Sequence, residues 1–262
     1  MQHKHVCLLT GATGGIGQAI AHLFDAQGFQ LILHGRNEMK LEALQKSLNG
    51  NHHIICGDLN DAEVRCVLID EAFADLEHQP TMLINNAGIS QFRSIAEVSC
   101  NDIESLISTN LIATIDFTRL FLGRVKQAST IVNVGSAFGA IGYPGYSLYC
   151  ASKFGLRGFT EALMRELANS EHRVCYFAPR ATNTSINSTS VQQMNSELGN
   201  HSDSTEFVAQ ELLKLINSKS VRKTVGWPEK FFARINGVFP EIVDKSISKQ
   251  TKEILTFARG EQ

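Results

Sequence analysis

The sequence lacks the features that would mark a membrane-spanning, secreted or nucleic-acid-binding protein. No apolar run approaches the ~20 residues needed to cross a bilayer, and Met1–Cys7 runs straight into a strand-like segment rather than a signal peptide. The six cysteines (Cys7, Cys56, Cys66, Cys100, Cys150, Cys175) form no CxxC pair and no Cys/His cluster at zinc spacing. Several lie inside apolar runs, as in Val6-Cys7-Leu8-Leu9 and Val174-Cys175-Tyr176-Phe177, so buried reduced thiols are expected and disulfides are not. The pair His52-His53 has no second ligand set beside it and reads as solvated loop, so no metal site is expected. Charge is in excess of neither sign: 24 Lys and Arg stand against 26 Asp and Glu, a net of −2. That argues against a protein built around nucleic-acid phosphates. No Pro/Ser/Gly-rich linker and no internal repeat divides the chain. What is present, 43% apolar and 19% charged residues in 262, suffices for a large core. A cytoplasmic globular protein is expected.

The first 180 residues alternate short apolar runs with longer amphipathic stretches. Strands are predicted at His5–Thr10, Gln30–His34, His53–Gly57, Thr81–Asn85, Thr130–Val134 and Arg173–Phe177. Helices are predicted at Ile16–Gln27, Glu38–Leu48, Asp61–Leu76, Ser99–Gly123 and Tyr149–Asn169. Short apolar strands separated by helix-length crossovers indicate an α/β protein with a doubly wound, Rossmann-type parallel sheet. Residues 183–205 break the pattern, with fifteen of 23 being Ser, Thr, Asn or Gln. Val191, Met194 and Leu198 still recur at helical spacing there. Asp203 and Glu206 have capping-box spacing ahead of Phe207, Leu212, Leu213 and Ile216, which predicts a helix starting near Asp203. A last strand near Val221–Val225 completes one domain, 1–226. Residues 227–262 form a C-terminal extension in which Phe231, Phe232, Ile235, Val238, Phe239, Ile242, Val243 and Ile247, broken at Gly237 and Pro240, predict two short amphipathic helices.

The first strand runs directly into Thr10-Gly11-Ala12-Thr13-Gly14-Gly15-Ile16-Gly17 and then a helix. Glycines there permit a tight turn and close approach of backbone to a pyrophosphate, while the helix N-terminus offers unpaired N–H groups to its charge. No Gly-Lys-Ser/Thr follows, which excludes a P-loop. An acidic residue about 20 positions on would bind a free ribose 2′-hydroxyl. Here the second strand ends in His34-Gly35-Arg36, with no carboxylate until Glu38, so a guanidinium stands where a 2′-phosphate needs one. NADP(H) is expected in preference to NAD(H).

Tyr149 and Lys153 stand four apart in Tyr149-Cys150-Ala151-Ser152-Lys153, on one face of a helix. A tyrosine has pKa ~10 in water, and proton exchange near neutrality asks for about 4 kcal/mol of anion stabilisation. An adjacent ammonium has the right sign to contribute.

With these motifs in this order, the sequence resembles the short-chain dehydrogenase/reductase family in its compact form. The resemblance runs from about His5 to Val225. Thr10-Gly11 through Gly17 is similar to the family's cofactor turn, and implies contacts from Gly11, Thr13, Gly14, Gly15, Ile16 and Gly17. Asp58 in Gly57-Asp58-Leu59 resembles the acid at adenine, and Asn85-Asn86-Ala87-Gly88 the element after the fourth strand. Asn110, Ser136, Tyr149 and Lys153 match the four catalytic positions. The resemblance implies that Tyr149 protonates a carbonyl oxygen and Ser136 hydrogen-bonds it. It further implies that Lys153 holds the nicotinamide ribose and lowers the Tyr149 pKa, and that Asn110 holds a relay water. It implies cofactor contacts from Arg36, Leu59, Asn86, Ala87, Gly88, Tyr149, Lys153, Pro179 and Thr184.

Two departures stand out. Pro179-Arg180-Ala181-Thr182-Asn183-Thr184 places Arg180 where many members have glycine, to pair with an anion or to brace the lid. The polar segment 185–202 coincides with the substrate lid. The tail, with Lys230, Arg234, Lys245, Lys249 and Lys252 beside its apolar residues, reads as a pocket cover, a subunit contact or a lipid-binding surface. The expected function is reduction of a carbonyl, or the reverse, on a small lipophilic or acyl-type substrate, in a homodimer or homotetramer. A 3-oxoacyl-[acyl-carrier-protein] reductase is the alternative enzyme, and a cofactor-sensing regulatory protein without turnover the alternative of another class.

Overall fold

The computed structural model describes residues 5–75, 79–184, 189–197, 202–227 and 229–259. Seven strands, β1 (Val6–Leu9), β2 (Gln30–Gly35), β3 (His53–Cys56), β4 (Met82–Asn85), β5 (Thr130–Val134), β6 (Arg173–Ala178) and β7 (Arg222–Thr224), form one parallel sheet in the order 3-2-1-4-5-6-7. Residues of each inner strand alternate between two cores. Cys7 and Leu9 of β1 join one face, Val6 and Leu8 the other. Because both faces are covered, the inner strands are mainly apolar and show little polar alternation. On the first face lie α1 (Gly15–Ala26), α2 (Glu38–Ser47) and α8 (Thr205–Ile216), which bury Phe24, Leu41 and Leu212. On the second lie α3 (Ala62–Ala72), α5 (Ala113–Arg124) and α6 (Ser147–Glu166), which bury Leu68, Phe117, Phe121 and Leu163. Each such large side chain is worth roughly 1.5–3 kcal/mol of transfer free energy.

A buried polar chain runs through the second core. Asn85 Nδ2 donates to Thr118 Oγ1 and to Asn133 Oδ1, each at 2.8 Å, and Asn133 Nδ2 donates to Thr160 Oγ1 at 2.9 Å. Every donor finds an acceptor, so burial costs little and β4, β5, α5 and α6 are held in one register. The strand order reverses between β1 and β4. A crevice therefore opens at the C-terminal ends of the strands, the place where ligands sit in such sheets.

Several expectations need correction. The helix predicted over Ser99–Gly123 is α4 (Cys100–Ile107), one π turn at Ser108–Ile112, and then α5. Such turns interrupt a helix where a side chain or carbonyl is needed elsewhere. Helix α8 is capped by Ser204, whose Oγ accepts from Phe207 N at 3.2 Å, and not by Asp203. The Asp203 carboxylate is occupied by an arginine, described below. The tail has three helices among the described residues, α9 (Glu229–Asn236), α10 (Pro240–Ser248) and α11 (Thr251–Arg259). The third buries Ile254, Phe257 and Ala258. Only Cys7, Cys150 and Cys175 are buried; Cys56, Cys66 and Cys100 are exposed, and all six are free. His52 is not solvated loop. It is buried, with Nε2 2.9 Å from Asp25 Oδ1, a partner 27 residues away that no local pattern announces. Leu198 and Leu76 lie outside the described residues; Val191 and Met194 are buried on α7 (Thr189–Glu197).

Candidate active site

The turn after β1 is shaped by positions where no side chain fits. Gly11 has φ +63°, and a Cβ there would lie 2.8 Å from Ala87 Cα; a Cβ on Gly17 would lie 2.2 Å from the Gly11 carbonyl oxygen. The turn is thus packed backbone to backbone. Asn86 secures it, with Nδ2 donating to the Thr10 and Gly11 carbonyls at 3.1 Å, while Thr10 Oγ1 accepts from Asn86 N and Ala87 N at 3.0 Å. Helix α1 follows with no side-chain cap and no acidic residue in its first turn. Its dipole and first N–H groups are left for an anion.

A cavity of about 310 Å³ lies over this turn. All twelve residues predicted for the adenosine and pyrophosphate end line it: Gly11, Thr13, Gly14, Gly15, Ile16, Gly17, Arg36, Asp58, Leu59, Asn86, Ala87 and Gly88. Arg36 is exposed and has no ion-pair partner among the described residues. His34 also lines the cavity. Its Nε2 lies 3.1 Å from the Gly57 carbonyl, and burial pushes its pKa down to about 4, so the ring is neutral at physiological pH.

An adjoining cavity of about 380 Å³ holds the predicted catalytic wall. Ser136 follows β5, and Tyr149 and Lys153 project from the first turns of α6. Ser136 Oγ accepts from Phe138 N at 3.1 Å and lies close enough to the Tyr149 phenol to oppose the rise in its pKa. The Lys153 ammonium lies 5.7 Å from the Tyr149 ring centroid and donates to the Val134 carbonyl at 3.1 Å. Burial dominates both titrations. It pushes the Tyr149 phenol up to about 12, against the lowering effect of Ser136, and pushes Lys153 down to about 8. Tyr149 is therefore a phenol, a proton donor, at neutral pH.

Asn110, in the π turn, does not line either cavity and is fully buried. Its Oδ1 accepts from Ile89 N at 2.8 Å, and its Nδ2 donates to the Ile89 carbonyl at 2.9 Å and to Ser152 Oγ at 3.1 Å. The amide thus fastens the loop after β4 to α6, beside Lys153. Thr184 lines both cavities; its Oγ1 is buried with no hydrogen-bond partner among the described residues, and its Cγ2 occupies the space a Gly15 Cβ would need. Pro179 lines the larger cavity.

These features fit a nicotinamide dinucleotide: an uncapped helix start for the pyrophosphate, a cradle open because glycines lack Cβ, and an orphaned hydroxyl at the junction. The remaining walls were not legible beforehand. Phe138 and Tyr146 meet the Tyr149 ring edge-on, and Tyr143 stacks on Phe138 with centroids 5.0 Å apart. The spacing of tyrosines at 143, 146 and 149 was the available signal. Val191 and Met194 of α7 and Phe232, Val243 and Ile247 of the tail close the far side.

Over residues 5–195 the chain matches the short chain dehydrogenase family. It is 37% identical over 185 residues to a sulfoacetaldehyde reductase of Chromohalobacter salexigens, covering 67% of this chain and 72% of that one. It is 31% identical over 224 residues to a 3-oxoacyl-[acyl-carrier-protein] reductase of Bos taurus, covering 82% and 92%. Among solved structures, a Burkholderia phymatum short chain dehydrogenase/reductase in complex with NAD aligns with TM-score 0.82 and 20% identity over 93% of this chain and 97% of that one. A Burkholderia cenocepacia short chain dehydrogenase in complex with NADP aligns with TM-score 0.80 and 19% identity over 94% and 99%. The fold, the order of motifs and these likenesses agree: the chain belongs to the short chain dehydrogenase family of oxidoreductases.

Proposed function

We propose that the protein is an NADP(H)-dependent reductase of a lipophilic or acyl-type carbonyl compound, working also in reverse. One observation carries the reading: Tyr149, Ser136 and Lys153 share the wall of an apolar cavity that abuts the glycine-turn cavity at Thr184. Tyr149 gives its phenolic proton to the carbonyl oxygen, and Ser136 hydrogen-bonds the same oxygen as negative charge grows there. Lys153 binds ribose hydroxyls and stabilises the phenolate left behind. Asn110 holds the loop bearing Gly88 and Ile89 against α6, and with Lys153 borders the path by which protons return. The cofactor, when bound, supplies the hydride; Gly11, Thr13, Gly14, Gly15, Ile16 and Gly17 would hold its pyrophosphate side and Thr184 its carboxamide.

Among the described residues the only charged side chains lining the catalytic cavity are Lys153, Arg180 and Glu229, and the last two face each other. An uncharged, apolar substrate suits such a lining. The bovine relative favours a second reading, a 3-oxoacyl-[acyl-carrier-protein] reductase. NADPH oxidation against aldehydes, ketones and 3-oxoacyl thioesters of graded chain length separates the two. Rates rising with chain length among simple ketones support the first, and turnover confined to 3-oxoacyl thioesters the second. No turnover at all rejects both in favour of a cofactor-sensing protein.

Arg36 is the basis for NADP(H). An Arg36→Asp enzyme should lose at least tenfold in kcat/KM for NADPH and gain with NADH, because a carboxylate repels the 2′-phosphate and accepts from a free 2′-hydroxyl. A wild-type enzyme that prefers NADH would refute the assignment.

Assembly as a homodimer or homotetramer belongs to the same reading, as does contact with lipid. Trp227, Phe231, Val238, Phe239 and Ile242 are exposed in the same stretch of chain as Lys230, Arg234 and Lys245, which have no ion-pair partner among the described residues. No described helix is long and apolar enough to cross a membrane, so the contact would be interfacial. Cosedimentation with vesicles containing phosphatidylserine, and not with phosphatidylcholine alone, is the expected result; no pelleting with either rejects it.

A further inference from the structure

Arg180 follows β6 at the base of the catalytic cavity, and its guanidinium is fully engaged by the chain itself. Nε donates to Asp203 Oδ2 at 2.9 Å and Nη2 to Asp203 Oδ1 at 2.7 Å, a two-pronged pair. Nη1 lies 3.5 Å from Glu229 Oε2 and 3.4 Å from the Trp227 carbonyl. The pair is well enclosed, with side-chain exposures of 16% for Arg180 and 8% for Asp203. Fork geometry and burial are what distinguish a strong arginine–carboxylate pair from a surface contact.

What the three partners belong to gives the pair its meaning. Asp203 closes the segment that begins after Thr182. The main chain is pinned at the same place, with Asn183 N donating to the Asp203 carbonyl at 3.0 Å and Asp203 N to the Ala181 carbonyl at 2.9 Å. Glu229 begins α9, the first helix of the tail. The turn leading there is itself shaped around the arginine: Gly226 has φ +94°, and a Cβ on it would lie 2.5 Å from Arg180 Cδ. Between these anchors, α7 packs its Val191 and Met194 against Ile254 and Phe257 of α11, while Phe232, Val243 and Ile247 line the cavity.

We propose that Arg180 is a positioning residue: clamped between Asp203 and Glu229, it joins the stem of the lid and the first turn of the tail into one roof over the catalytic cavity, and so sets substrate binding. With two carboxylates already on it, the guanidinium offers little to an anionic substrate. The role of the roof in turnover rests on the reductase reading above; the mechanical link does not.

The test compares Arg180→Met, Asp203→Asn and the double variant Arg180→Met/Asp203→Asn. Arg180→Met strands a buried carboxylate and lowers Tm, whereas the double variant removes both charges and restores it. In both, KM for the preferred neutral substrate should rise about tenfold with kcat within about threefold of wild type. Amide hydrogen exchange in 189–197 and 229–236 should be faster in both. A KM that recovers along with Tm in the double variant reduces the pair to a structural brace and overturns the proposal. So does a KM rise confined to carboxylate-bearing substrates, which makes Arg180 a direct substrate contact, or a loss of kcat at constant KM. If the wild-type protein reduces no carbonyl compound, the reductase reading fails, and exchange in the two segments still decides the link: unchanged rates overturn it.

Discussion

Replacing Tyr149 by phenylalanine should lower kcat for carbonyl reduction by about 10²–10⁴-fold, the usual worth of a placed general acid, or about 3–5 kcal/mol of barrier. NADPH affinity, read by fluorescence titration, should stay within about threefold, because most of the proposed cofactor contacts come from the glycine turn, Arg36, Asp58, Lys153 and Thr184, and the Tyr149 ring itself is kept. The substitution removes one oxygen and leaves the ring stacking with Phe138 and Tyr146 in place. Near-wild-type turnover in a folded, NADPH-binding Tyr149→Phe enzyme would remove the phenol from the mechanism.

The same site predicts a pH dependence whose sign follows from burial. Lys153 is pushed down to about 8 and Tyr149 up to about 12. Below pH 8 the free enzyme carries the ammonium proposed to bind ribose and to stabilise the phenolate. As pH rises through about 8 that charge is lost, so kcat/KM for NADPH, which reports the free enzyme, should fall tenfold per pH unit. The phenol stays protonated throughout and contributes no break below about pH 12.

A methyl group at Gly17 should have the second large effect. Its Cβ would stand 2.2 Å from the Gly11 carbonyl oxygen and 2.9 Å from Ala12 Cα. These neighbours are backbone, and Gly11 is held against Ala87 on its other side. The turn must open for Gly17→Ala to fold. Overpacking of this kind costs about 1–3 kcal/mol, a loss of about 2–10 °C in Tm at this chain length. The displaced N–H groups should weaken NADPH binding by about 100-fold. Gly158→Ala is the control, since a Cβ there meets nothing within 4 Å. It should leave NADPH binding unchanged and stabilise α6 by up to about 1 kcal/mol. Equal NADPH affinity in the Gly17→Ala and Gly158→Ala proteins would disprove the steric account.

Most of the sheet and the cofactor turn could be read from the chain because their signals are local. A buried parallel strand is a short run of consecutive apolar residues, and β1, β2, β4 and β6 carry runs of three to five. The glycine turn occupies seven adjacent positions, Gly11 to Gly17, and Tyr149 and Lys153 are one helical turn apart. Asn110 was found as a residue, but not as a clasp on the Ile89 backbone. Its partner lies 21 positions away, and the π turn that aims it leaves no mark in hydrophobic periodicity. Asp203 looked like a helix cap for the same reason. Capping-box spacing is a local pattern, and the competitor that took the carboxylate, Arg180, lies 23 residues upstream.

By itself, then, the sequence determined the family, the strand and helix alternation, the glycine turn and the Tyr149–Lys153 spacing, because each depends on side chains within a few positions of one another. Tertiary structure alone decided what encloses the cavity beside Tyr149. The tail was readable as amphipathic, yet amphipathicity says only that one face is buried. That Phe232, Val243 and Ile247 turn inward over Tyr149, and that Arg180 binds Asp203 and Glu229 rather than a ligand, depends on chain segments up to about a hundred residues apart meeting at the end of the sheet. Packing at that distance is chosen by shape and charge complementarity across the whole fold, and no local spacing encodes it.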